Sequence, residues 1–561
     1  MYRVFGKYLS LLGLALIINL NAWSQLDTTV FNVRFIGMEQ NYIPRQNSYD
    51  SSSFKLACKV VLKELRNDGY WLASIDSLTQ QEDILVVHFF QGRKFDHVRI
   101  EIIDDQGVFN QSRTLNKASL QKVPSISLIE SSVENVLDQL EESGYPFASL
   151  SIDSSHVENE NLNIQLRLDA GARITYDSIA VKPEGLIKPV FLSKYLKMEY
   201  GADYDERDLS RVEEKIKHLP FLDLQKIYTT FQLKKAKVHL ELEPRKVNHF
   251  NGLLGLVPGA DGEGVEVTGE LDLSISNLFQ SGKKIEINWT KLQPGSQQLH
   301  ASYLHPILLG SPLDFYFAID QIRQDTIYSN RSLQLAFDYR PTKNLELRMS
   351  YEGLIGNALN DQQDLSGDFD INYYGLAVTW YNLDRLISPK RGVKLRSEIS
   401  VGRKSIIGAV SIPESTQYRM QSAMEWYKPV KSRSVIYMAA KGGALLNDFL
   451  YLNDLFRLGG LNTIRGFNEL DFFASRYLLF NMEWRYYLDP NSYMVAFYDQ
   501  SFMEYSIVNG SFDDAPAGLG VGMEFANDQG VFKILYGLGK RDGDPFSFAT
   551  SKIHFGYTAI F

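Results

Sequence analysis

The 561-residue sequence holds one cysteine, Cys58. A single thiol excludes a disulfide within the chain and any cysteine-built metal cluster. It falls in the apolar helical run 54–65, where a small core residue fits. Beyond the amino terminus, no apolar run reaches the ~20 residues that a membrane-spanning helix needs. Basic excess is also missing. Lys and Arg number 58 against 67 Asp and Glu, a net charge of −9, so there is no footprint for nucleic acid. No nucleotide-binding motif is present. His97, His156, His218 and His239 are scattered singly, and His300, His305 and His554 show no Ser/His or Asp/His constellation. The expectation is therefore a protein that is not an enzyme, with no metal, no cofactor and no catalytic residue.

Aromatic residues are plentiful at 12%, with 31 Tyr and 33 Phe, which suits half-buried strands or a membrane girdle. Residues 1–24 read as a secretory signal. Arg3 and Lys7 give the positive start, Leu9–Leu20 the apolar middle, and Ala22-Trp23-Ser24 the small residues before a cut at Gln25. The chain is expected to be exported, and any later membrane insertion must then use strands.

A repeat follows. Leu62–Ile75 contains Gly69-Tyr70-Trp71-Leu72-Ala73-Ser74, and Leu137–Leu150 contains Gly144-Tyr145-Pro146-Phe147-Ala148-Ser149. Both begin with leucines at three-residue spacing on an otherwise polar helix, and a glycine follows as a C-cap signal. Two strands come next, closed by Gly92-Arg93-Lys94-Phe95 in one copy and Gly171-Ala172-Arg173-Ile174 in the other. A period of about 75 residues means tandem α+β units. A divergent third copy has its helix over 204–217 and its last strand at Val238–Leu242.

From about Asn248 helical spacing gives way to period-2 alternation. Val265, Val267, Leu271, Leu273 and Ile275 alternate with polar residues, as do Ile285, Ile287 and Trp289, and later Leu345, Leu347 and Met349. About sixteen such segments fit the strand length and even strand number of a membrane barrel, apolar outside and polar within. Residues 356–367 and 509–516 read as long outer loops. The chain closes on the apolar stripe Ile553, Phe555, Tyr557, Ala559 and Phe561, expected to pair with a first strand at about 249–257. Gly252 and Gly255 would weaken that first strand and its seam.

One arginine needs explaining. Arg465 lies in Leu458-Gly459-Gly460-Leu461-Asn462-Thr463-Ile464-Arg465-Gly466-Phe467, with no acidic neighbour before Glu469. An enclosed guanidinium needs partners. Glu483 and Asp499 follow at strand-like positions, and a five-donor fork can serve both. The competing reading is a solvated arginine on a glycine-rich surface loop.

The helix–Gly-Tyr–strand–strand units over roughly 28–245 resemble POTRA domains. Together with the barrel pattern, the Ile464-Arg465-Gly466-Phe467 motif and the terminal aromatic strand, they resemble the BamA/TamA superfamily of outer-membrane assembly factors. The layout is nearest the TamA branch, since BamA usually carries five POTRA units. The resemblance implies a signal peptide (1–24), POTRA-like units over 25–95, 96–174 and 175–245, and a transmembrane β-barrel over 246–561. It implies that the sixth outer loop folds into the lumen and that Glu483 and Asp499 on the inner wall receive Arg465. Ser388-Pro389-Lys390-Arg391-Gly392 is similar to the family's Pro-x-x-Gly strand start. Gln500-Ser501 departs from the family's usual x-Gly after the acidic residue. Phe555, Tyr557 and Phe561 would form the C-terminal assembly signal.

The function implied is an outer-membrane insertase or translocase in a Gram-negative cell, with its N-terminal units in the periplasm. Its partners would be unfolded outer-membrane or secreted clients, outer-membrane lipid, and a periplasmic or inner-membrane accessory protein, with no nucleic acid. The alternatives are a dedicated two-partner-type secretion pore and a passive outer-membrane channel.

Overall fold

A computed structural model describes residues 30–560, except 96–97, 109–125, 159–160, 259–264, 294, 361–365, 386–387, 409–412 and 528–529. The expected signal segment 1–24 and the terminal Phe561 lie outside the described residues. The chain forms two compact units, the first over 1–178, 199–210 and 229–237, the second comprising the rest.

The first unit contains two α+β modules. One is built from β1 (Phe31–Ile36), β2 (Ser48–Tyr49), α1 (Ser51–Asn67), β3 (Ser74–Gln81) and β4 (Ile84–Phe90), with sheet order β2-β1-β4-β3. The other has β5 (Val98–Ile103), α2 (Ile126–Glu141), β6 (Ser149–Glu158) and β7 (Asn161–Asp169), in the order β5-β7-β6. Asp50 starts α1 by accepting from the backbone N–H groups of Ser52 and Ser53. The helix buries Phe54, Cys58, Val61 and Leu65, the spacing of one helical face, against Val33, Phe35, Val87 and Phe89 of the sheet.

The Gly-Tyr repeat has a structural cause. Gly69 and Gly144 adopt left-handed φ values of 101° and 92° just beyond the helices. Tyr70 N donates to Leu65 O at 3.0 Å, and Tyr145 N to Leu140 O at 2.9 Å, the six-residue closure of a Schellman cap. The closing turns return to the same glycines: Phe95 N donates to Gly69 O at 2.9 Å and Ile174 N to Gly144 O at 2.7 Å.

A third α+β set comprises β8 (Thr175–Lys182), α3 (Pro189–Leu196), α4 (Glu206–Lys217), β9 (Leu222–Gln232) and β10 (Lys235–Pro244), with sheet order β8-β10-β9.

The second unit is dominated by an antiparallel barrel of sixteen strands. Its first strands are β11 (His249–Pro258), β12 (Val265–Leu278), β13 (Lys283–Gln293), β14 (Ser296–His305), β15 (Leu313–Gln324) and β16 (Tyr328–Thr342). Next come β17 (Leu345–Ala358), β18 (Asp368–Leu383), β19 (Gly392–Ile407), β20 (Ser415–Lys431) and β21 (Ser434–Leu446). The sixth far-end loop carries a small hairpin, β22 (Phe456–Leu458) with β23 (Phe472–Ala474). The wall resumes with β24 (Arg476–Tyr487) and β25 (Tyr493–Ile507). After the short β26 (Gly510–Asp514) it ends with β27 (Ala517–Asn527), β28 (Gly530–Lys540) and β29 (Lys552–Ile560). Period-2 alternation sorts the wall into two faces. On β24, Met482, Trp484 and Tyr486 are exposed outward while Asn481, Glu483 and Arg485 turn inward. Phe555 and Tyr557 on β29 are likewise exposed. Inward charges pair across strands, as Arg348 does with Asp338 at 2.6 Å and Arg340 with Asp314 at 2.6 Å.

Two expectations need correction. Residues 509–516 are not an open loop: β25 runs on past the wall to Ile507 and returns as β26, with Ile507 opposite Gly510. Tyr505 stacks on Phe512 at 4.7 Å across this pair, a cross-strand contact that extends the hairpin. His300 also has a partner, its Nδ1 lying 2.7 Å from Asp320 Oδ1 on the neighbouring strand.

Candidate functional site

The sixth loop, residues 447–475, folds back into the barrel. Its hairpin stem and the motif pack as one apolar cluster: Leu458, Ile464, Phe467, Phe472 and Ala474 meet Leu479 and Met503 of the wall. This burial carries Arg465 inward until its side chain is 6% exposed. Its Nε donates to Asp499 Oδ2 at 2.8 Å, Nη2 to Asp499 Oδ1 at 2.6 Å, and Nη1 to Glu483 Oε1 at 2.5 Å. The backbone N–H of Arg465 adds a fourth hydrogen bond, the third to Asp499, at 3.0 Å from Oδ2. The guanidinium lies 4.0 Å from the centroid of the Phe497 ring. A buried cation is tolerable only when its donors are met, and here two carboxylates and a ring meet them. The structure thus brings Arg465, Glu483 and Asp499 together.

Several partners were not singled out in the sequence. Asn481 Nδ2 donates both to Thr463 O at 2.8 Å and to Asp499 Oδ1 at 2.7 Å, tying loop to wall. It sits two residues before Glu483, so the period-2 rule that placed Glu483 inward could have found it. Arg485 donates to Glu483 Oε2 at 2.7 Å, so Glu483 serves two arginines. Lys441 on β21 reaches Asn462 O at 3.1 Å.

The opposite side of the motif faces bare backbone. Gly466 holds φ at 91°, and a Cβ there would come 2.6 Å from the carbonyl carbon of Leu538. On β27 a Cβ at Gly518 would overlap the carbonyl oxygen of Arg465, and on β28 one at Gly539 would sit 2.6 Å from Gly466 O. Glycines on both surfaces let two backbones meet with no side chain between them. Gln500-Ser501 does not disturb this contact, since Asp499 still pairs with Gly518 across the strands.

A second set of contacts holds the outer part of the same loop on strands β15 to β20. Lys404 of β19 is wholly buried and donates to Asp454 Oδ2 at 2.5 Å and to Phe449 O at 2.8 Å. Asn453 exchanges hydrogen bonds with both backbone groups of Gly367, at 3.0 and 2.9 Å. Arg457 donates to Tyr328 Oη at 2.7 Å and lies 3.9 Å from the Phe473 ring centroid. No sequence motif marks these residues, because their partners lie far away in the chain.

The barrel seam is unlike the other strand pairs. β18 and β19 pair from Asp368 opposite Ile407 to Leu383 opposite Gly392. β11 and β29 are in register at His249 opposite Ile560 and Phe250 opposite Ala559, and at no other described residue. Gly252 and Gly255 fall in the part of β11 beyond this contact, and Phe555 and Tyr557 in the matching part of β29. Among the described residues no group of His, Cys, Asp and Glu could hold a metal ion.

A profile of the Omp85 superfamily domain matches residues 277–561. The chain belongs to the Omp85 superfamily. This is the superfamily of BamA/TamA type to which the motif pointed, and it makes the chain an outer-membrane barrel whose family acts in protein insertion and translocation. No curated protein matches it in sequence. Among solved structures it is similar to CdiB from Escherichia coli, with TM-score 0.57 and 14% identity over 91% of this chain and 98% of that one. It is also similar to CdiB from Acinetobacter baumannii, with TM-score 0.55 and 14% identity over 96% of this chain and 95% of that one. At such identity the likeness is one of fold. In this Omp85 protein the motif Ile464–Phe467 is thus a docked lumenal tip.

Proposed function

We propose that this protein is an outer-membrane insertase whose seam between β11 and β29 opens sideways to template an incoming client strand. The carrying observation is the seam's register. Residues 251–258 of β11 and 552–558 of β29 have no partner across the seam among those described. In hydrocarbon every backbone N–H and C=O must be satisfied, each unmet group costing several kcal/mol. Two such edges are an unstable arrangement unless another strand completes them, and an extended polypeptide supplies the matching donors and acceptors. The apolar outward residues of β29 would face lipid beside the client. Periplasmic α+β units, whose sheets end in the edge strands β3 and β6, offer the same chemistry to an unfolded client before it reaches the seam. The lumen holds paired charges and a docked loop; folding of the client in lipid provides the free energy.

A disulfide across the seam tests this reading. Cys58 is buried, so Phe250→Cys with Ala559→Cys gives one new accessible pair at residues already in register. The oxidised lock should abolish insertion of client barrels into vesicles, and reduction should restore it. Undiminished insertion by the locked barrel would refute lateral templating. Passage of a secreted client through the locked barrel would favour the dedicated secretion pore.

A further inference from the structure

The periplasmic rim beneath β12 to β15 carries an unusual surface. The end of β12 with the turn into β13, and the turn joining β14 to β15, hold five non-glycine residues at left-handed φ: Asn277 (60°), Phe279 (55°), Gln280 (58°), Ile307 (53°) and Leu309 (53°). Few side chains accept this conformation, and a β-branched one such as Ile307 resists it most. Strained turns persist only where their surroundings fix them. Here α3 does so. Lys188 N donates to Gln280 O at 2.9 Å, and Asn277 Nδ2 donates to Leu186 O at 2.9 Å. The Phe191 ring closes on Gly282 beside Pro306, and Lys194 Nζ reaches the neighbourhood of Gly310. On the far side of the helix, Tyr195 Oη donates to Lys215 O at 3.1 Å.

This scaffold presents large apolar side chains that are exposed among the described residues. Leu309 is 96% exposed, Phe279 75% and Val190 68%. Such tips on a strained rim would be an aggregation hazard in water. Phe279 and Leu309 sit in turns that lead directly into the barrel strands β13 and β15. Lys283 opens β13 on the same face as Ile285, Ile287 and Trp289, the place where a lysine can snorkel to the bilayer edge. Charge has the matching pattern. Residues 182–198 contain Lys182, Lys188, Lys194 and Lys197 against Glu184 alone, a local excess of three positive charges in a chain of net −9. The four lysines are exposed, and Glu184 is the acidic group within the segment. Apolar tips ringed by lysines at a membrane edge match an interface of acyl chains and anionic headgroups.

We infer that α3 and the two turns form a lipid-binding foot, in which Val190, Phe279 and Leu309 enter the periplasmic leaflet while Lys188, Lys194 and Lys197 contact anionic phospholipid headgroups. The foot fixes the height and tilt of the β12–β15 wall against the bilayer. It is independent of whether the seam inserts clients.

The test uses the full chain in vesicles of phosphatidylcholine, with or without phosphatidylglycerol. Leu309→Cys and Phe279→Cys, each in a Cys58→Ser background, carry an environment-sensitive fluorophore, and folding is verified by a heat-modifiable gel position. The expected result is shielding from aqueous iodide and loss of about half the emission to lipids bearing a headgroup nitroxide. The triple variant Lys188→Glu/Lys194→Glu/Lys197→Glu should lower that quenching at least about twofold in phosphatidylglycerol vesicles and leave it unchanged in phosphatidylcholine alone. Labels open to iodide and untouched by the nitroxide lipids would overturn the foot. Labels open in vesicles but shielded in native outer-membrane fragments would overturn it in favour of a protein partner. Quenching indifferent to both phosphatidylglycerol and the triple variant would overturn the anionic-headgroup contact.

Discussion

Replacing Arg465 with alanine should leave the barrel closed and release the sixth loop. The wall strands pair through their own backbones, so the sixteen-stranded sheet does not depend on this side chain. The loop does. The substitution removes three side-chain hydrogen bonds, two to Asp499 and one to Glu483. The two carboxylates fare differently afterwards. Glu483 keeps Arg485 at 2.7 Å, whereas Asp499, whose side chain is 0% exposed, keeps neutral donors such as Asn481 and no paired cation. Stranding a buried ion costs about 3–5 kcal/mol. At 1.4 kcal/mol per factor of ten, the docked-to-undocked ratio should fall between roughly a hundred and a few thousand-fold. Nicking of the loop by protease in detergent-solubilised barrels reads this ratio, because cleavage follows the population of the open form. Asp499→Ala should release the loop as well, since Arg465 then holds Glu483 alone, and Arg465→Lys should fail to rescue because an ammonium cannot fork across two carboxylates. The double variant Arg465→Ala/Asp499→Ala loses both ions together and should be less damaged than the two losses added, by up to about 3 kcal/mol. A plain sum in that double variant would refute the docking argument.

Gly518→Ala should undock the loop with every carboxylate intact, because the new methyl overlaps the Arg465 carbonyl; protease nicking as fast as in Arg465→Ala is the expected result. Lys404→Met leaves Asp454 buried without its cation and should free the outer part of the loop by about 3–5 kcal/mol, seen as faster nicking near 448–456, while Lys404→Met/Asp454→Leu should recover part of the loss. Burial pushes the Cys58 thiol up to about 12, so it stays protonated through pH 9 and maleimide should label it after unfolding but not before.

Sequence alone determined the pieces whose causes are local. The Gly-Tyr repeat specified two helix caps, because a left-handed residue after the last turn is a requirement of the backbone at that point. Alternation specified which side of β24 each residue faces, since a strand's side-chain period is fixed by its geometry. Arg465 announced a need for acids, because a guanidinium cannot be enclosed alone, and the acids that answered were the two expected. Tertiary structure decided what depends on closure of the sheet. Asn481 and Gly518 join the motif only when β24, β25 and β27 lie side by side. The Lys404–Asp454 pair spans 50 residues, and nothing in either neighbourhood forecasts it. The short seam was half legible. Gly252 and Gly255 marked β11 as weak, but the register that leaves 251–258 without a described partner on β29 is set by the tilt and stagger of all sixteen strands, a property of the closed barrel and of no single segment.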